Sequence, residues 1–226
     1  MYEQVFAYCE RGLDTAFWAE PINAITNAAF LIAAVLALVQ WMATPNGRTG
    51  VPELILVAVV AIIGIGSFLF HTFATVWASL ADVIPIGIFM MAYMGYALRQ
   101  YLNLPWWAVA IGLVVFFVTL AQASMMRCDG GPCLNGSVAY FPAFIAMALI
   151  GLVLAVKGHA AGGYLVSAAV VFAVSLTFRS LDQALCPYTR INGLDPIGLH
   201  FLWHVLNATL LFLLLSAAIR HGRQRA

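Results

Sequence analysis

Charge is scarce in this chain. Only 8% of its 226 residues are Asp, Glu, Lys or Arg, and Lys157 is the single lysine. A sequence so poor in charge and 64% hydrophobic lies outside the composition of soluble domains and inside that of integral membrane proteins. The formal net charge of +1 leaves no basic stripe or long tail able to neutralise a run of phosphates, which excludes a nucleic-acid partner. Low-complexity linkers and fixed-period repeats are missing too, so one domain over residues 1–226 is the simplest organisation. The opening MYEQVFAYCERGLDTAFWAE has no basic start, short apolar stretch or small-residue cleavage site. It is therefore expected to stay as an acidic extramembrane segment, residues 1–21, rather than leave as a signal.

What the chain has in abundance is long apolar runs. A bilayer core needs about 20 apolar residues per helix. Seven such stretches are found, roughly 22–42, 54–73, 79–98, 105–125, 137–156, 163–179 and 198–219. Breakers mark the joints: TPNGRTGVP, NLP, CDGGPCLNG, KGHAAGG and CPYTRINGLDP. The sixth stretch is closed at 179 because Arg179 and Asp182 follow its apolar part. The expected fold is an all-α bundle of seven transmembrane helices over 22–219, followed by a basic tail, 220–226.

An odd number of spans puts the termini on opposite sides. Arg48, Arg99, Lys157, Arg220, Arg223 and Arg225 then share the C-terminal side, against Arg11, Arg127, Arg179 and Arg190 on the other. The positive-inside rule reads this as N-terminus outside and C-terminus cytoplasmic. All four cysteines, Cys9, Cys128, Cys133 and Cys186, fall in the segments assigned outside, where disulfides persist. Pairing Cys9 with Cys186 would tie the N-terminal segment to the loop before the last helix, and Cys128 with Cys133 would close a short Gly-Pro loop. Four free or metal-binding thiols are the alternative, since sequence does not fix pairing.

Polar groups inside spans are costly and face the bundle interior or a wet cavity. The last helix opens GLHFLWHVLNA, with His200 and His204 one turn apart on one face and Asn207 extending it. Ser67 and His71 repeat that spacing on the second span, and Asp82 stands near the start of the third. The second span runs outward while the third and seventh run inward, so Ser67, His71, Asp82, His200 and His204 share one depth near the outer face. Three imidazoles at one level match a three-histidine zinc site with a fourth position left for water. A satisfied interior histidine or a haem-ligating pair is the blander reading of any one of them. His159 and His221 belong to solvated segments on the opposite side.

GIGSFLFH, Asp82 eleven residues after His71, and the closing HFLWHVL resemble the alkaline ceramidase family, part of a membrane-hydrolase superfamily that includes the adiponectin receptors. YCE followed by AEPINAITN extends the likeness over almost the whole chain. The resemblance implies seven spans, zinc on His71, His200 and His204, and hydrolysis of the ceramide amide to a sphingoid base and a fatty acid. Ser67 and Asp82 match a serine and an aspartate near the zinc-bound water. Zinc would lower the pKa of that water to about 7 and polarise the carbonyl. Asp82 would orient the water, take its proton and pass it to the leaving amine. Ser67 would donate a hydrogen bond to the water or the oxyanion. It is a helper rather than a nucleophile, because all three histidines are committed to metal.

The resemblance also implies calcium near the N-terminus, with a partial match. Glu10 and Glu20 align with acidic ligands. Ala7 replaces an Asp, Tyr8 a Trp and Gly12 an Asn, and the segment is one residue shorter. Asp14 and the carbonyls of Tyr8 and Gly12 are the further oxygens available for a cation that takes six to eight. An acidic, solvated segment is the plainer alternative. A ceramide-like lipid reaching the site from the membrane is the expected substrate, and no protein partner is implied. Three competing readings remain at this point: a receptor-like or lipid-binding protein with structural zinc, a hydrolase of another acyl lipid, and a bis-histidine haem protein. A transporter is disfavoured, because no two halves share broken helices.

Overall fold

The computed structural model describes residues 1–45, 50–128, 131–190 and 195–222. Arg48, Arg223 and Arg225, used above to choose sides, lie outside the described residues. In lipid every backbone N–H and C=O must be satisfied within the chain, which leaves apolar runs of this length the helix as their only open form of span. Seven helices among the described residues are long and apolar enough to cross a membrane. The first is in two pieces, α1 (Pro21–Thr26) and α2 (Ala28–Ala43). The others are α3 (Val51–Phe73), α4 (Val76–Tyr96), α5 (Trp106–Ser124), α6 (Phe141–Val156), α7 (Ala161–Leu185) and α8 (His200–His221). A two-stranded ribbon, β1 (Arg127–Cys128) with β2 (Gly131–Pro132), precedes α6.

The last helix is the centre of the bundle. It packs against α7, α2 and α3, and it is the most deeply buried of the seven spans. The sixth span departs from the sequence expectation, because α7 runs past Arg179 and Asp182 to Leu185. Asp182 is fully buried, and its carboxylate accepts backbone N–H bonds from Cys9, Leu199 and His200 at 2.7–3.0 Å. Two of those donors are the otherwise unpaired N–H groups at the start of α8, so a carboxylate on α7 caps the helix that carries two histidines.

The N-terminal segment lies on the bundle. Val5 N–H donates to Ala74 O at 2.7 Å and Val76 N–H to Glu3 O at 3.1 Å, which pairs the segment with the α3–α4 turn. Both disulfides form, Cys9–Cys186 fastening this segment to the end of α7 and Cys128–Cys133 closing the ribbon. The Glu10 carboxylate accepts the N–H groups of Ile22 and Asn23 at 2.7 and 2.8 Å, capping α1 behind Pro21. Burial pushes the Glu10 pKa above its ordinary value despite these bonds.

Two features make α3 and α4 touch beside Ser67 and Asp82. Pro85 has no N–H, so the Ala81 carbonyl one turn earlier lacks its helical donor. Gly66 of α3 fits against that carbonyl, and a Cβ at position 66 would overlap it. Gly66→Ala is expected to push the two helices apart and cost about 1–3 kcal/mol, the usual scale of overpacking. It should lower the thermal midpoint and impair the site between the helices. Gly87→Ala, on open space in α4, should leave the midpoint within a degree or so of the parent. Equal midpoints for the two variants would contradict this account of the contact.

Candidate metal centre

Three imidazoles from two helices meet at one end of the bundle. His71 is in the last turn of α3, and His200 and His204 are in the first two turns of α8. Each ring is 1% exposed, and one nitrogen from each lies within 4.8 Å of the other two. Among the described residues this is the one group of three or more His, Cys, Asp or Glu side chains so arranged.

The outer nitrogens decide how the inner ones are presented. His71 Nδ1 is 2.6 Å from Glu20 Oε2, and a carboxylate can only accept, so that nitrogen carries the proton. His204 Nδ1 is 2.9 Å from Thr26 Oγ1, whose own hydroxyl proton goes to the carbonyls of Ile22 and Asn23. His204 is therefore also protonated on Nδ1. Both rings then turn an Nε2 lone pair inward. His71 Nε2, His204 Nε2 and His200 Nδ1 are all buried without a hydrogen-bond partner. Buried polar atoms are seldom left unpaired, and three converging lone pairs need a cation or a bridging donor. The donor set fits a metal ion that accepts imidazole nitrogen.

Glu20 is the pivot behind this arrangement. Besides His71 it accepts from Arg11 Nε at 2.6 Å and Asn23 Nδ2 at 3.0 Å. Burial works to raise its pKa, but His71, Arg11 and Asn23 outweigh burial and hold the carboxyl below its ordinary value. The other four N–H groups of Arg11 donate to the carbonyls of Asp14, Ala16, His71 and Thr72. Here the structure departs from the expected calcium set. Glu20 and four backbone carbonyls, oxygens of the kind calcium takes, are occupied by the buried guanidinium of Arg11. Glu10 caps α1, Asp14 is exposed and accepts the Ala16 N–H, and the Tyr8 carbonyl accepts the Gly12 N–H. The side chain of Tyr8 does something else altogether, stacking on His200 at 3.6 Å between ring centres.

Ser67 and Asp82 come together as their depth predicted. Both are buried, the serine side chain lies beside the Asp82 carboxyl, and Asp82 Oδ1 has no hydrogen-bond partner. Asn207 instead bonds Ser175 Oγ at 3.2 Å. His159 and His221 are near Tyr101 and Tyr164 and take no part. Below the histidines, about 830 Å³ of space including its open side extends into the bundle among Phe30, Ile63, Phe89, Met147, Phe172 and Leu211. Trp203, Tyr140 and Asn207 border it as well, and Tyr93 and Leu214 border it farther along their helices. Sequence reasoning missed Arg11, Thr26, Asp182 and Arg179. The two ionisable groups late in the sixth span were the available signal.

Fold and site together define a multi-pass membrane protein with a buried three-histidine centre beside an apolar cavity. Within that class the chain belongs to the ceramidase family, whose profile matches residues 5–225, nearly its whole length. The family is one of ceramide-hydrolysing enzymes, which makes the chain a hydrolase with a lipid substrate. Comparison with curated protein sequences returns no match.

Thr26→Val removes the acceptor for His204 Nδ1–H and should weaken metal binding about tenfold, as losses of such supporting contacts do. Thr26→Ser should restore it. Chelator competition on purified protein measures both, and equal affinity in Thr26→Val and parent would show that the hydroxyl does not orient the ring.

Proposed function

We propose that the protein is a zinc-dependent intramembrane amidase that cleaves the N-acyl bond of ceramide-like lipids to a sphingoid base and a free fatty acid. The observation that carries this reading is the convergence of three orphaned imidazole nitrogens beside Asp82 and Ser67 at the head of an apolar cavity. His71, His200 and His204 would hold the metal, which when bound supplies Lewis acidity toward the carbonyl and toward water. The remaining work falls to the chain. The cavity takes an acyl chain and brings its amide to the level of the histidines. The free Oδ1 of Asp82 accepts a proton from the attacking water and returns it to the departing amine. Ser67 holds the carboxyl in place and has a hydroxyl to offer the developing oxyanion.

A closed site, with a fourth protein ligand, would favour the receptor-like reading. The group of ligating side chains numbers three among the described residues, which favours an open site and catalysis. Haem is disfavoured because the three nitrogens lie within 4.8 Å of one another, a spacing for one small ion. Calcium is left out of the proposal because Glu20, one of the two acids expected to bind it, is held by Arg11, His71 and Asn23. We place the centre on the non-cytoplasmic side, a reading supported by the two disulfides at that end.

Elemental analysis paired with mass-spectrometric detection of released fatty acid tests the proposal. One equivalent of zinc with chelator-sensitive release is expected. Zinc without release from any N-acyl sphingoid lipid would favour the receptor-like reading, and absence of metal would remove the basis of the site. Asp82→Asn should retain zinc and lose turnover by about 100-fold or more, the scale of general acid–base catalysis. Turnover close to the parent's would remove Asp82 from the chemistry.

A further inference from the structure

Arg179 is a cation without an acid. It stands near the end of α7, partly buried, at the level of the histidines. Among the described residues the ion pairs are Arg11 with Glu20 and Glu20 with His71, and neither includes Arg179. Tyr8, which it bonds, stacks on His200, which places Arg179 at the site. Three aromatic rings enclose the guanidinium, whose central carbon is 5.0 Å from the ring centre of Trp203, 5.4 Å from Tyr140 and 5.6 Å from Tyr8. Trp203 and Tyr140 also border the cavity, and Tyr8 stacks on the metal-ligating His200. The guanidinium therefore sits where the cavity meets the centre.

The hydrogen bonds of Arg179 are uneven. Nη1 donates to the Tyr8 hydroxyl at 3.0 Å, which fixes the plane of the group. Nε has no acceptor, and Nη2 makes no hydrogen bond among the described residues. Nε and Nη2 form the side edge of the guanidinium, the edge whose parallel N–H groups bind two oxygens at once. Position 136 is a glycine at φ +77°, and a Cβ there would meet Nη2 at 3.4 Å, so the loop before α6 lies close beside this edge without a side chain over it. A purely structural arginine that only held Tyr8 would not need an unsatisfied second edge.

We propose that Arg179 is a substrate-binding residue whose Nε–Nη2 edge takes a pair of oxygen acceptors on the polar head of the lipid, while the acyl chain fills the cavity. The hydroxyl groups of a sphingoid head, close to the scissile amide, have this chemistry. The aromatic enclosure holds the cation in place and limits its hydration, which strengthens the bonds it makes. This inference rests on the amidase reading for the identity of the lipid.

Binding of an N-acyl sphingosine with a fluorescent acyl chain to detergent-purified protein tests it, alongside metal content, thermal midpoint, KM and kcat. Arg179→Gln should weaken binding about tenfold, the scale of losing a charge-assisted hydrogen bond. The loss should fall in KM more than in kcat, with the metal content of the parent. Arg179→Lys keeps the charge without the fork and should bind with intermediate affinity, which serves as the test should the glutamine variant not fold. Parental affinity in the variants would overturn the proposal, as would weaker binding accompanied by loss of metal. Weakened binding of a free fatty acid alone would assign Arg179 to the product carboxylate and overturn the head-group assignment. If the parent binds the lipid and cleaves none, the amidase reading fails while the binding comparison still decides the role of Arg179.

Discussion

The hydrogen-bonded chain from Arg11 through Glu20 to His71 is the interaction on which the rest of the centre depends. A charge buried at a membrane helix end is tolerated only when paired and fully bonded. Arg11 satisfies that condition with one carboxylate and four carbonyls, two of them at the end of α3. One side chain thus fastens the N-terminal segment to the helix that carries His71, and supplies the countercharge that keeps Glu20 ionised against burial. Glu20 in turn sets which nitrogen of His71 faces inward. Removing either partner would strand the other charge where no water can replace it.

The same logic is repeated around the centre. Asp182 caps α8 beneath His200, Glu10 caps α1, and Thr26 of α1 orients His204. The two carboxylates satisfy orphaned backbone donors, and Thr26 holds one of the histidine rings. Metal ligands need an oriented outer layer as much as correct identity, and here that layer is built largely from the segment before the first span and the end of the sixth. Cys9–Cys186 joins those two pieces covalently. The centre is therefore complete only with the N-terminal segment lying against the end of the sixth span.

The seven spans were legible because lipid forces the length and apolarity of each helix to show in the sequence. The meeting of His71, His200, His204, Ser67 and Asp82 was legible too, since alternating span direction assigns each polar group a depth. Depth carries no information about rotation or about which neighbour a group bonds. For that reason the sixth span was ended at Arg179, where charge suggested water and the structure instead supplies rings and backbone donors. The five residues linked to calcium raise a similar point. Their acidic pattern was visible, but the arginine lying between them in sequence gave no sign that it would pair with Glu20.

The cavity runs well away from the centre. Tyr93 and Leu214 border it about ten residues beyond the histidine level of α8, which at 1.5 Å per residue is about 15 Å. The Tyr93 hydroxyl donates to the Leu214 carbonyl at 3.1 Å and lies 3.2 Å from the Tyr101 hydroxyl. Beyond them Tyr96 donates to the buried carboxylate of Glu53. The polar atoms at this end are thus satisfied among themselves and present ring carbon, not a hydroxyl, to the cavity. The cavity wall along this side is therefore held by hydrogen bonds between α4 and α8, the same two helices that carry Asp82 and two of the histidines.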